Sequence, residues 1–333
     1  AARDGKASRP SLVQDLLIGD DESGGDSSFG TVSAIMVDDE DNIIAFDRKN
    51  TCFKIFDKNG RFVRRFGRNG QGPGEIQTVI GVALVGGKDI VVVDTGNSRL
   101  SVFSKDGACI KMLHLDKVTP YSIVMDGQGH IYGSALSFGK EVLLKLVKFG
   151  SDLSPEVTLA TLKMPPENAL PPPELTERYY YYAAQDGTFV WASNFLYALN
   201  VVNAEGKTTL IIECDAKPEK LTRAWLIRQL KKQYPDRPVP EALEIPAHFP
   251  KNLPFFNAIF GDDEGRLFVR TLTGGTAGRT NYDVFDSSGT YIARFDIPEG
   301  EDITAVKNGH AYVLIKENEA GNPVIKRYKI SVK

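Results

Sequence analysis

Residues 79–115 read VIGVALVGGKDIVVVDTGNSRLSVFSKDGACIKMLHL, and this stretch decides the fold. An apolar run meets the tight turn Gly86-Gly87-Lys88, and a second run follows at residues 90–93. A third strand-like segment then leads through Asp106-Gly107 into a fourth. Short connections of the Asn-Gly or Asp-Gly kind favour turns whose twist suits antiparallel hairpins, so the stretch reads as two hairpins in a row. The same phrase occurs six times, with first turns at Asp41-Asn42, Gly86-Gly87-Lys88, Gln128-Gly129, Asp186-Gly187, Glu264-Gly265 and Asn308-Gly309. Five of the six continue to a second turn, at Asn59-Gly60, Asp106-Gly107, residues 150–152, Glu205-Gly206 and Ser288-Gly289. Self-similarity at a period of tens of residues marks a repeat architecture, and four antiparallel strands per unit make a propeller blade.

The expected fold is therefore all-β: one six-bladed β-propeller over residues 1–333, with blades at 31–66, 79–115, 121–162, 179–213, 255–297 and 302–333. The last blade shows only three strands, while a lone strand-like segment at 11–18 precedes the first. An open sheet edge invites pairing with other chains and closure removes it, so the segment is expected to complete blade six. Two stretches break the period. Residues 164–178 carry Pro165, Pro166, Pro171, Pro172 and Pro173, and residues 215–254 form the largest insertion. Within the insertion, Trp225, Leu226, Gln229, Leu230 and Gln233 recur at helical spacing from Arg223 to Tyr234, and Pro235 stops the run.

Blade topology sorts these segments by face. The turns after the first and third strands share one face, and the loops after the second strands share the other with the crossovers between blades. Both insertions are crossovers, so the second face carries the long loops. Binding residues usually sit on long loops over a rigid scaffold, and the ligand is expected on that loop face.

The charge balance, 40 basic against 43 acidic residues and a formal net of -3, gives no global field for nucleic acid or anionic lipid. No apolar stretch approaches the roughly 18 residues a membrane-spanning helix needs. Cys52, Cys109 and Cys214 lie in different blades, too sparse for a disulfide framework. The chain begins Ala-Ala-Arg-Asp, without an initiator Met, which suggests a trimmed or processed protein.

The segment Val93-Asp94-Thr95-Gly96-Asn97-Ser98-Arg99, running on to Phe103, resembles the NHL repeat family of six-bladed propellers. Blade one echoes it with Asp47-Arg48-Lys49-Asn50, and the glycine-rich linker 66–75 is similar to the family's crossover. The matches weaken toward blade six. The resemblance implies the fold and a structural role for Asp47, Asn50, Asp94, Asn97 and Arg99, and nothing catalytic. It also points to the bacterial exported or lipid-anchored propellers, hence to a periplasmic or surface location.

Several constellations could carry chemistry. Gly67, Gly70, Gly72 and Gly74 mimic a phosphate cradle, but Pro73 and a following strand stand where a helix N-terminus is required. Acidic clusters at residues 38–41 and 262–264 lack the spacing of a calcium loop and fall where hairpin turns are needed. His114, His130, His248 and His310 show no zinc spacing. No cofactor, metal or catalytic residue is therefore expected. Arg61, Arg64, Arg65 and Arg68 form a basic stripe on a rim strand, where charge commonly blocks edge pairing. Aromatic density is the stronger signal. A pocket is expected from Arg178, Tyr180, Tyr182, Phe195, Tyr197, Phe256, Arg279 and Tyr282, with interblade core as the competing reading. Trp225, Leu226 and Leu230 are expected to meet a partner.

Three functions follow in order of preference. The first is a non-enzymatic scaffold holding a protein, peptide or glycan on the loop face. The second is a propeller lyase or lactonase acting at the central channel, which requires at least three of His, Asp, Glu, Arg or Tyr around one point. The third is an oligomeric cell-envelope component docked through the insertion.

Overall fold

A computed structural model describes residues 10–19, 25–115, 120–166, 171–233, 236, 238, 244–274 and 278–331. The predicted helix end at Tyr234, the stop at Pro235 and the end of blade six at residues 332–333 lie outside them.

The chain is a six-bladed β-propeller. Blade one holds β2 (Val32–Val37), β3 (Ile43–Asp47), β4 (Cys52–Phe56) and β5 (Phe62–Phe66). Blade two holds β6 (Val79–Val85), β7 (Asp89–Asp94), β8 (Arg99–Phe103) and β9 (Cys109–His114). Blade three runs from β10 (Pro120–Met125) to β13 (Pro155–Lys163), and blade four from β14 (Tyr179–Ala183) to β17 (Thr208–Glu213). Blade five runs from β18 (Phe256–Gly261) to β21 (Tyr291–Pro298). Blade six pairs β22 (Glu301–Lys307), β23 (His310–Ile315) and β24 (Val324–Ser331) with β1 (Ser11–Ile18) as its outer strand. The first strand of each blade is innermost, and these six strands contact one another in a closed ring.

Packing explains the sequence pattern. A blade's middle strands are covered on both sides by neighbouring blades, so β3 and β4 are buried at every position and are mostly apolar, with Asp47 and Lys54 the buried exceptions. The outer strand β5 has no such cover and keeps Val63, Arg64 and Arg65 exposed. Hydrophobic clusters fill each of the six seams between blades. Fully buried Phe53 and Phe103, for example, share the seam of blades one and two with Phe46. Truncating a phenylalanine of this kind to Ala costs about 3–5 kcal/mol.

Closure rests on β1. It pairs antiparallel with β24 from Ser11 opposite Ser331 to Ile18 opposite Ile325, with a bulge at residues 14–16. In the bulge, the Arg327 guanidinium donates to both Asp15 oxygens at 3.0 Å, which fixes the register by a two-pronged charge pair.

The long crossovers fold onto each other. Leu175, Leu221 and Leu253 form a seventh apolar cluster, with Trp225, Ile245 and Phe249 packed against it. The helix α1 (Arg223–Gln233) starts where the Thr222 hydroxyl accepts the Trp225 N–H at 3.2 Å. At the root of this lobe the Leu221 N–H donates to Lys251 O and the Leu253 N–H to Glu219 O. A two-stranded stem thus ties off the insertion.

Candidate functional site: the axial cavity

The main concavity lies on the propeller axis and opens at the turn face. Its volume is about 760 Å³, within the range of small-molecule sites. Met36, Val82, Val124, Met125, Ala183 and Phe260 make an apolar wall. The mouth carries Asp39, Gln185, Asp186, Asp263, Arg266 and Lys307 from the first turns of four different blades.

The mouth is rigid because those turns are anchored from within. In blade five, Asp262 Oδ1 accepts the N–H groups of Glu264 and Arg266, while its Oδ2 takes Arg266 Nε at 2.6 Å. Asp38 does the same for Glu40 and Asn42 and also receives Lys105 at 3.0 Å. Asp126 caps Gln128 and His130, and the His130 ring lies 2.8 Å from its second oxygen. These carboxylates are buried, and their acceptor capacity goes to the chain itself. The acidic clusters at 38–41 and 262–264 are therefore turn anchors, each built around one internal aspartate.

Neighbouring turns then brace one another around the opening. Lys307 pairs with Asp39 at 2.7 Å, the Asn308 side chain donates to Asp41, and the Asn308 N–H is shared by both oxygens of Asp263. Gln128 donates to Asp186 O, and Gln185 reaches from blade four to Leu84 O of blade two at 3.0 Å. Glycines let the inner strands and Tyr182 pack closely around the axis. At Gly81 an added Cβ would lie 2.7 Å from Ile123 O, and at Gly261 it would meet the Tyr182 ring at 2.4 Å.

Tyr182 leans across Gly261 into this space. Burial, together with the charges of Asp262, Asp186 and Asp263, raises the pKa of its phenol well above the usual range. The hydroxyl therefore stays protonated, and it meets no hydrogen-bond partner among the described residues.

The other residues predicted from aromatic density do not assemble into a pocket. Phe256 and Tyr282 are fully buried in the seams flanking blade five, and the Tyr282 oxygen accepts the Ile303 N–H. Tyr197 is 5% exposed and donates to Asp283 at 2.7 Å. Tyr180 sits half-buried, edge-on to Phe256. Arg279 is exposed and paired with Asp296. Arg178 and Phe195 are half-buried on the loop face, and the Arg178 N–H donates to Asn194. Only Tyr182 reaches the cavity. The partner surface also needs correction: Leu226 is 4% exposed, and Trp225 packs on the lobe's own apolar cluster. Leu230 is half-buried beside them in sequence.

The remaining motifs are structural in their bonding. Asp94 accepts the N–H groups of Gln77, Thr78 and Asn97 and the Asn97 amide, and Asp47 repeats the set with Gly30, Thr31 and Asn50. Arg99 donates to three backbone carbonyls of the glycine-rich linker. That linker wraps an internal anion: the Gly72 N–H donates to Glu75 at 2.8 Å, and a Cβ on Gly70 would strike the same carboxylate. Arg64 pairs with Asp106, Arg65 lies 3.9 Å from Asp26, and Arg68 pairs with Glu75, so acidic neighbours neutralise much of the basic stripe. The histidines are dispersed, and among the described residues no three His, Cys, Asp or Glu side chains are grouped as metal ligands. Among the same residues no helix is long and apolar enough to cross a membrane.

Sequence and structure comparisons agree on the fold. The profile of a family described as DUF5128, 6-bladed beta-propeller, matches residues 25–135. A search of curated proteins finds no match. The chain is similar in structure to a member of the DUF4221 family from Bacteroides vulgatus, with 14% identity and a TM-score of 0.54 over 98% of this chain and 100% of that one. A protein from Bacteroides fragilis, named as a supposed exported protein, gives 12% identity and 0.58 over 100% and 98%. Virginiamycin B lyase from Staphylococcus aureus gives 11% identity and 0.45 over 96% and 98%, too distant to carry an argument. Identities this low speak to fold alone.

Proposed function

We propose that the protein is a non-enzymatic binding module that takes a small ligand into the axial cavity from the turn face. One observation carries this reading: a cavity of about 760 Å³, apolar within and polar at its mouth, held open by turns that brace one another. It moves the expected site from the loop face to the opposite one, and the ligand from a macromolecule to a small molecule.

The enzymatic alternative meets its own criterion in number and fails it in chemistry. Tyr182, Asp262, Asp263 and Arg266 line one end of the cavity. Asp262 is committed to its turn and to Arg266, Asp263 accepts from Asn308, and the Tyr182 phenol is held protonated. No histidine lines the cavity. General-base or nucleophilic work needs a group free to take a proton from the substrate, and these side chains are bonded within the protein or, for Tyr182, held protonated.

A second reading, a protein or peptide partner on the loop face, draws on two exposed apolar side chains. Phe138 is 71% and Leu196 64% exposed, in the loops of adjacent blades three and four. Kinship with the NHL repeats and export from the cytoplasm also belong to our reading. The matching bonding of Asp47 and Asp94 supports the first, and the name of the Bacteroides fragilis structure is in keeping with the second.

One pair of variants separates the two sites. Val82→Trp fills the channel, and Phe138→Asp with Leu196→Asp disrupts the loop face. In a thermal-shift screen of small molecules, hits should stabilise the wild type and the loop-face variant but not Val82→Trp. Hits that persist in Val82→Trp and vanish in the loop-face variant would overturn the cavity reading in favour of the second.

A further inference from the structure

The mouth of the cavity is unevenly charged, and this narrows the ligand. Four carboxylates line it, Asp39, Asp186, Asp262 and Asp263, against two cations, Lys307 and Arg266. Lys307 answers Asp39 at 2.7 Å, and Arg266 answers Asp262 at 2.6 Å. Asp186 and Asp263 remain without a cationic partner among the described residues. Among the described residues Asp186 Oδ1 accepts the Thr188 N–H, and Asp263 accepts the Asn308 N–H. Both line the cavity together with Tyr182, and their charges act on its phenol. Behind that ring, Phe260, Met36, Val82, Val124 and Met125 continue the wall as hydrocarbon.

Each part of this arrangement selects. Two carboxylates without a cationic partner at the opening create a negative potential that attracts cations and repels anions. An aromatic face adds attraction for a positive head, most of all for a weakly hydrated ammonium. A hydrated metal ion would find no use for the apolar depth, and a neutral hydrocarbon would leave the charged mouth unanswered.

We propose that the axial cavity binds a small amphiphilic organic cation, its amine or quaternary ammonium head between Asp186, Asp263 and Tyr182 and its apolar body along the channel. The inference rests on the cavity being the ligand site, and the test separates the two claims. Three probes carry a phenyl ring on a short alkyl chain: phenylbutyl-trimethylammonium, its neutral analogue with carbon in place of nitrogen, and phenylbutyrate. Calorimetric titration of the full chain should rank them cation, neutral, carboxylate, with at least tenfold between the first and the last. Asp186→Asn with Asp263→Asn should weaken the cation about tenfold and leave the neutral probe unchanged. Added salt should weaken the cation alone.

If phenylbutyrate binds as tightly as the cation, or the double variant leaves the cation unaffected, the charge assignment falls while the cavity stands. If no probe binds the wild type or shifts its melting, both claims fall. Circular dichroism of the double variant guards against misfolding. Both side chains are exposed, and their backbone contacts remain available to the isosteric amides.

Discussion

The two faces of the ring divide length and concavity between them. The loop face has the length: two proline-rich crossovers, a helix and the widest loops. Much of that length is spent on itself, since the lobe buries Leu175, Leu221 and Leu253 and ties its own base. The turn face has short hairpin connections, yet it surrounds the cavity. Short turns anchored by internal aspartates hold their side chains in fixed positions, which a binding site requires. Loop length therefore marks tolerance to insertion in this molecule, and concavity follows from what the inner strands leave empty.

The largest expected effect tests the rigidity of the turn face. Asp262→Ala removes a buried carboxylate that holds two backbone N–H groups and the Arg266 guanidinium. Breaking a buried charged pair from one side costs about 3–5 kcal/mol. Denaturant unfolding should show a loss of that size, and a loss below about 1 kcal/mol would mean the turn is not what stiffens the mouth.

A smaller effect is expected on the loop face. Replacing residues 222–250 with Gly-Gly joins Leu221 to Lys251 across a stem that is already paired, as a two-residue hairpin allows. The β-rich circular dichroism spectrum should persist, with a loss of about 1–2 kcal/mol from re-exposing Leu175. Cation binding in the channel should be unchanged. Collapse of the spectrum would make the lobe part of the core and erase the contrast between the faces.

The smallest effect is one of slope with pH, and it asks whether both faces use the same device. Burial raises the pKa of Asp38 on the turn face and of Asp47 on the loop face, but hydrogen bonds from Asn42 and Lys105, and from Gly30 and Asn50, outweigh it and leave both below the ordinary value. A carboxylate depressed in the folded state stabilises the fold above its unfolded pKa, about 3.9, and loses that contribution as pH falls through the folded value. The melting temperature should be flat from pH 7 to about 5 and fall below about 4. Asp47→Asn should flatten that fall, and an unchanged acid slope would contradict the assignment.

The fold was legible because its signals are local. Glycine turns recur at a fixed phase, the doubly covered middle strands read as mostly apolar runs, and the missing strand of blade six pointed to residues 11–18. The cavity was not legible, because it is defined by what the inner strands lack. Ala83, Ala183, Gly261 and Ala305 line it with little bulk, and nothing in a single sequence distinguishes them from ordinary small residues in a strand. Aromatic density misled for a related reason: large rings at Phe256, Tyr197 and Tyr282 are what fill wedge-shaped seams. Asp186 and Asp263 stood in plain view as turn residues, and only the closed ring brings them to one cavity with Tyr182.

The pairing of Ser11 with Ser331 has a mechanical consequence. Tension applied between the two ends of the chain acts on the same end of two adjacent antiparallel strands. The load would part β1 from β24 like a zipper, one hydrogen bond after another, rather than shearing the whole ladder at once. The ring should thus resist heat and acid far better than it resists being pulled open at this seam.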